Sequence, residues 1–183
     1  MAKGSKTKIV LTGGHAATTA LATVEEIIRR KKDWQIYWIG SKAAVEGQVV
    51  TTLESEVFPK LGVAFHPIEA GRIQRQFTLW TIPALLKIPI GFVQAASLLF
   101  KIKPKAILSF GGSAAFPVVV CGWALGIPVI IHEQTAVAGR ANRASSFFAR
   151  KIALARETSR KYFPAAKSVI TGNPILTQIA EIS

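Results

Sequence analysis

The sequence predicts an α/β domain built on a Rossmann-like, doubly wound parallel sheet. Three observations carry this. Apolar runs of strand length alternate with stretches of helical periodicity along the whole chain, without internal repeats. Several of those runs stop at glycine, as Gly13-Gly14, Gly40-Ser41 and Gly111-Gly112 do, the kind of junction at which a buried strand turns towards a helix. Finally, 183 residues, 50% apolar and 18% charged, suffice for one substantial core and are too few for two ordinary domains.

The elements follow in order. Lys6 to Thr12 reads as the first strand, closed by Gly13-Gly14-His15. A helix over Thr18 to Lys32 carries Leu21, Val24, Ile27 and Ile28 at helical spacing, with Glu25 and Glu26 early and Arg29 to Lys32 late, matching the helix dipole. Its free amide groups, beside His15, suit a phosphate or carbonyl oxygen. Trp34 to Ile39 is the second strand. Ala43 to Phe58 reads as helix, Pro59 to Gly62 as a turn and Val63 to Pro67 as the third strand, in which His66 is a structural residue.

The chain centres on Ala106 to Arg143. There Ala106 to Phe110 is a buried strand, and Gly111-Gly112 lets the backbone turn and approach a ligand. A helix follows through the apolar run Val118 to Leu125, stopped by Gly126 and Pro128. The β-branched run Pro128 to Ile131 delivers His132, Glu133 and Gln134 to its C-terminal end, the edge of an open parallel sheet where ligands bind. Gly139 to Arg150 reads as a basic helix, Lys151 to Ala155 and Ser168 to Thr171 as strands, and Gly172-Asn173-Pro174 as a turn leaving the sheet.

Composition narrows the function classes. Cys121 stands alone inside an apolar helix, so no disulfide framework and no zinc spacing exists, and a buried structural thiol in a reducing compartment is expected. The amino terminus is polar and basic rather than a secretory signal, which points to a cytoplasmic protein. A formal charge of +13, from 23 basic and 10 acidic residues, favours polyanions. Nucleic acid fits poorly, because no basic stripe with interleaved aromatics and no RNA- or DNA-binding motif occurs; an anionic membrane surface or a diphosphate fits better. A dinucleotide-dependent oxidoreductase is disfavoured too. The first loop, TGGHAA, lacks the third glycine of the fingerprint, and no carboxylate follows strand two until Glu46.

The segment from Phe77 to Phe100 is the most hydrophobic and is long enough to span a bilayer. Pro83 and Pro89 are expected to break it, and Lys87 would lie near the bilayer centre, so a span is not expected. Two alternatives remain: a buried core helix, or a helix pair dipping one apolar face into lipid. Arg72, Arg75, Phe77, Trp80, Leu85 and Lys87 are the candidate membrane-docking residues, with Lys101, Lys103 and Lys105 beyond them on an anionic leaflet or a solvated rim.

These residues resemble a known family. TGGH, IGSKAAVE, the arginine-flanked apolar segment, FGGSAAFP, GWALGIPVIIHEQTAVAGRANR and TGNP occur in the order and spacing of the N-terminal domain of the MurG family, in glycosyltransferase family 28, over roughly residues 6–176. The resemblance implies the N-terminal half of a GT-B glycosyltransferase. Residues 1–174 would form its acceptor- and membrane-binding domain, and 175–183 the start of an interdomain linker. In such an enzyme, N-acetylglucosamine passes with inversion from UDP-GlcNAc, a substrate held mainly by a donor domain absent here, to a lipid-linked diphosphate acceptor in peptidoglycan synthesis. No cofactor or metal is implied. The implied partners are the lipid-linked acceptor, the anionic inner face of the cell membrane and a donor-sugar domain or subunit. The chain is then expected to be a fragment or one subunit of a split transferase, inactive alone, with a non-catalytic docking subunit as the alternative.

The same resemblance carries the site. His15 matches the acceptor-side histidine and would take the proton of the attacking hydroxyl, or else would cap the helix; Glu133 is the alternative base. Thr12, Gly13, Gly14, Gly111, Gly112, Ser113, His132, Gln134 and Thr135 would contact the acceptor or its diphosphate, with a satisfied core group the other reading of His132. Departures from the family are Val10 and Leu11 for two glycines, no proline three residues after His15, Ser113 for tyrosine, Thr135 for asparagine and Leu176 for arginine. They bear on the acceptor and on activity more than on the fold.

Overall fold

A computed structural model describes residues 6–14, 17–31, 33–41, 52–69 and 81–176. Seven strands form one parallel sheet: β1 (Thr7–Gly13), β2 (Trp34–Gly40), β3 (Ala64–Pro67), β4 (Ala106–Ser109), β5 (Val129–Glu133), β6 (Lys151–Leu154) and β7 (Ser168–Ile170). Their spatial order is β3-β2-β1-β4-β5-β6-β7. The chain winds outward from β1 through β2 and β3, then returns to lay β4 on the other side of β1. That reversal makes β1 and β4 the switch point of the sheet, where strand ends diverge into opposite connections and leave a crevice. Thr12 of β1 stands in register with both Ile39 of β2 and Ser109 of β4.

Alternation along the strands builds two cores. Ile9 and Leu11 face one side with Ile36 and Trp38, where α1 (Ala17–Arg30) contributes Ala20 and Val24. Val10, Ile107, Val129, Ile131 and Ile152 face the other, against Ala95, Leu99 and Ile102 of α3 (Thr81–Ile102) and Val118 and Val119 of α4 (Ala115–Ala124). Trp38 is fully buried; it meets Phe58 edge-on at 4.8 Å and stacks with Phe110 at 6.3 Å. Two shorter helices, α2 (Leu53–Val57) and α5 (Arg140–Ser145), complete the set among the described residues, and 3-10 turns occupy Phe58–Leu61, Glu157–Tyr162 and Ala165–Lys167.

Three expectations need correction. Pro89 does not break α3, which runs unbroken from Thr81 to Ile102. Pro83 occupies its first turn, where no helical hydrogen bond is lost, and Pro89 lies on the exposed face, where its ring meets no packed neighbour element. The basic helix expected to reach Arg150 ends at Ser145: the Ser146 hydroxyl bonds the Arg143 carbonyl at 2.6 Å, and the Arg150 amide already serves the sheet by donating to the Val129 carbonyl at 2.8 Å. The turn at Pro59 to Gly62 is a 3-10 helix closed by a left-handed Gly62. Residues 43–51 of the second expected helix lie outside the described residues.

Candidate functional site

The C-terminal ends of β1 and β4 interlock. The Gly14 amide donates to the Gly111 carbonyl at 2.9 Å, and the Phe110 amide to the Thr12 carbonyl at 2.8 Å, extending the ladder beyond the strands. Gly111 and Gly112 have φ of +85° and +95°, a region that strains any residue with a Cβ. Contact adds a second constraint. A Cβ on Gly112 would lie 2.8 Å from the Gly14 Cα, and one on Gly111 would lie 2.6 Å from Asn142 Oδ1. Main chain therefore touches main chain at the switch point. Ser113 follows at the turn into α4, half-buried; the first turn of α4 has no side-chain cap, the Ala115 amide is bonded to the Gly112 carbonyl at 3.2 Å and Pro117 has no N–H, which leaves the Phe116 amide for solvent or a ligand.

The end of β5 is joined to this crevice through α5. Glu133 is 3% exposed and accepts from three N–H groups and a shared hydroxyl. The Thr135 amide reaches it at 3.0 Å, the Gly139 amide at 3.1 Å and Asn142 Nδ2 at 3.0 Å, while the Thr135 hydroxyl sits between Glu133 and the Val137 carbonyl. The carboxylate thus holds the loop between β5 and α5 at both ends. Asn142 also donates to the His132 carbonyl at 3.3 Å, and its Oδ1 lies against Gly111. One asparagine couples three segments. Gln134 accepts from the Thr19 hydroxyl of α1 at 2.8 Å, which ties the opposite side of the crevice to the same loop.

His132 is buried, with Nε2 3.3 Å from the Gly172 carbonyl and its ring edge-on to Phe110 at 6.0 Å. Burial holds its pKa below the ordinary histidine value, and the Gly172 carbonyl and the Glu133 charge pull weakly the other way. Neutral imidazole is favoured there. Nδ1 of His132, Oδ1 of Asn142 and Oγ1 of Thr12 are buried and have no hydrogen-bond partner among the described residues.

Thr12, Gly13, Gly14, Gly111, Gly112, His132, Glu133, Gln134 and Thr135 therefore belong to the C-terminal edge of the sheet, with Ser113 at its turn. His15, Arg72, Arg75, Phe77 and Trp80 lie outside the described residues, and of Leu85 and Lys87 only the helical backbone is described. Sequence reasoning missed Thr19, Asn142 and the Gly172 carbonyl. Asn142 had a signal, an amide three residues after Gly139 within GRANR; the other two contacts join segments far apart in sequence. Among the described residues no group of three His, Cys, Asp or Glu side chains could hold a metal ion. Cys121 packs against the core, its thiol 3.5 Å from the Phe92 carbonyl and its pKa raised by burial. His66 stacks on Tyr37 at 5.9 Å.

The glycosyltransferase family 28 N-terminal domain matches residues 11–154 of this chain. A curated relative, the UDP-N-acetylglucosamine–N-acetylmuramyl-(pentapeptide) pyrophosphoryl-undecaprenol N-acetylglucosamine transferase of Legionella pneumophila (strain Lens), is 38% identical over 175 residues, covering 93% of this chain and 46% of the relative. The protein of the same name from Geobacter metallireducens is 32% identical over 170 residues, covering 93% and 44%. The crystal structure of Acinetobacter baumannii MurG superposes with a TM-score of 0.68 at 25% identity, over 95% of this chain and 47% of that one. A UDP-GlcNAc 2-epimerase from Neisseria meningitidis, with a TM-score of 0.62 at 13% identity over 92% of this chain and 47% of its own, shares the fold. The chain spans about half the length of the curated relatives it matches.

Proposed function

The chain belongs to the glycosyltransferase family 28 N-terminal domain family, and on that premise we propose that it is the acceptor- and membrane-binding half of an inverting GT-B hexosyltransferase. N-acetylglucosamine would pass from UDP-GlcNAc to a lipid-linked diphosphate sugar. The donor would be held mainly by a second domain or subunit across the crevice. The observation that carries this reading is the contact of Gly14 with Gly111 and Gly112 at the switch point, where bare main chain gives a diphosphate room and the Phe116 amide at the uncapped start of α4 is a donor.

In this reaction the acceptor hydroxyl attacks the sugar's anomeric carbon from the face opposite the UDP, whose bond to that carbon breaks. The hydroxyl proton goes to a base. We assign that role to His15, by its place in TGGH, ahead of Glu133. Glu133 accepts from three N–H groups and shares the Thr135 hydroxyl proton with the Val137 carbonyl, which takes up most of the acceptor capacity of a carboxylate, and it is 3% exposed. Its part is to hold the β5–α5 loop in place.

Membrane attachment has its own support. Ile90, Val93 and Phe100 recur at helical spacing on one face of α3 and are 47%, 70% and 69% exposed, with Trp123 of the neighbouring α4 and Leu125 at its C-terminal cap also exposed. No helix among the described residues is long and apolar enough to cross a membrane. An apolar face of this kind, on a chain of charge +13, suits attachment to the anionic inner face of the cell membrane.

The test is to pair this chain with a donor domain. Combined with the donor domain of a relative, the chain should transfer labelled N-acetylglucosamine from UDP-GlcNAc to a lipid-linked diphosphate acceptor, and His15→Ala should lower the rate by about two to four orders of magnitude. Near-wild-type turnover by His15→Ala would remove the base assignment. Absence of transfer, with vesicle binding intact, would favour a non-catalytic docking subunit.

A further inference from the structure

Apart from the crevice, α5 and the 3-10 helix Glu157–Tyr162 wall an open cavity of about 520 Å³. Arg140, Arg143 and Lys161 line it, and no carboxylate does. All three cations are exposed, and none has an ion pair among the described residues. The one acidic residue of that 3-10 helix, Glu157, is paired with Arg160 at 3.1 Å. Arg143 and Lys161 both stand over the ring of Tyr162, at 5.6 and 5.2 Å from its centroid. The ring offsets part of their repulsion, since each cation gains from its π-face. It cannot neutralise them. In a chain of charge +13, three unpaired cations around one cavity form a site that an anion would stabilise.

The walls are held in advance. Lys167 Nζ donates to the Ser146 and Phe147 carbonyls at 3.2 and 3.1 Å, fixing the backbone that ends α5, and the Arg143 amide is bonded to Gly139 at 2.9 Å. Phe147, Phe163 and Pro164 add apolar surface to the lining.

We propose that this cavity binds the phosphate of an ester whose organic part rests on Tyr162 and Phe147. Two guanidinium groups and an ammonium match a tetrahedral oxyanion with three oxygens to share and up to two charges; a carboxylate has two oxygens and one charge. The cavity is also larger than bare phosphate needs, and its surplus wall is aromatic. Such an ester is either a phospholipid headgroup or a soluble phosphoester. The site shares no residue with the glycine crevice and stands whether or not the chain serves a transferase.

The full chain would be titrated with inorganic phosphate, with phenyl phosphate, and with phosphatidylcholine vesicles with and without phosphatidylglycerol. Amide shifts of Arg143, Ser146 and Tyr162 report the soluble probes, and co-sedimentation reports the vesicles. Phenyl phosphate should bind saturably and more tightly than inorganic phosphate. Arg143→Gln/Lys161→Gln should weaken it at least tenfold. Lys31→Gln/Lys60→Gln, which removes the same charge from the α1 and α2 side of the sheet, should change it less than twofold. Arg140→Gln, whose guanidinium makes no hydrogen bond among the described residues, should weaken binding severalfold with an unchanged thermal melt. If phosphatidylglycerol-dependent sedimentation falls with the same variants, the ester is a headgroup; if sedimentation ignores them while phenyl phosphate does not, it is soluble. No saturable binding of any probe, or equal loss in the two double variants, overturns the site.

Discussion

Gly112→Ala and Gly62→Ala together isolate the interlock at the switch point. Both glycines have positive φ, +95° and +77°, so each alanine carries a backbone strain of about 1–2 kcal/mol, reduced by about 0.4–1 kcal/mol because alanine has less freedom to lose on folding. They differ in what the new methyl meets. At Gly62 nothing lies within 4 Å, whereas at Gly112 the methyl would lie 2.8 Å from the Gly14 Cα and 2.9 Å from its nitrogen. Backbone cannot rotate aside as a side chain can. Forcing the loops apart adds an overpacking cost of about 1–3 kcal/mol, and losing the bond from the Gly14 amide to Gly111 adds about 0.5–1.5 kcal/mol. Gly112→Ala should thus lose about 3–5 kcal/mol against about 1 kcal/mol for Gly62→Ala. Urea unfolding of both variants measures this, with an expected gap of about 1 M or more in midpoint. Equal midpoints would refute the claim that backbone contact holds this loop.

Three further outcomes follow from other contacts. Because the His132 pKa is depressed in the folded state, its contribution is complete above the ordinary histidine value and is lost as pH falls through the folded one; urea melts from pH 7.5 to 5 should lose stability more steeply in the wild type than in His132→Gln. Lys167→Met removes two bonds to the end of α5 and should cost about 1–2 kcal/mol, with faster hydrogen exchange at the Phe148 amide. Val93→Asp/Phe100→Asp puts two charges on the exposed face of α3, so sedimentation with anionic vesicles should fall at least tenfold while the thermal melt changes little; unchanged sedimentation would exclude that face.

The fold was legible because strand and helix periods differ. Ile9 and Leu11 alternate with Val10, and the two sets enter opposite cores as period two demands. Glycine at strand ends likewise marked true junctions, since Gly13 pairs with Gly40 and Gly14 with Gly111. Helix ends were harder to read. Proline in α3 looks like a breaker to any local rule, yet the helix runs through Pro89, whose ring stands on the exposed face, and only the packing of α3 on α4 decides which face that is. The length of α5 was equally hidden, because Lys167, more than twenty residues after Ser145, holds its end.

The site was legible as a place and only partly as a set of roles. HEQ at a strand end pointed to polar chemistry, yet sequence alone gives a carboxylate the same standing whether its lone pairs are free or taken. Glu133 is surrounded because the chain returns over it twice, at Thr135 and at Gly139, and because Asn142 arrives from the first turn of α5. That asparagine also touches Gly111, so a change at Glu133 would be felt at the glycine crevice without Glu133 touching a ligand. Glu133→Gln separates the two roles. An amide keeps one acceptor and brings donors against Gly139 and Asn142, so a positioning residue would lose stability and acceptor affinity together, with the limiting rate on bound acceptor largely kept; loss confined to that rate, with its pH dependence abolished, would mark the base instead.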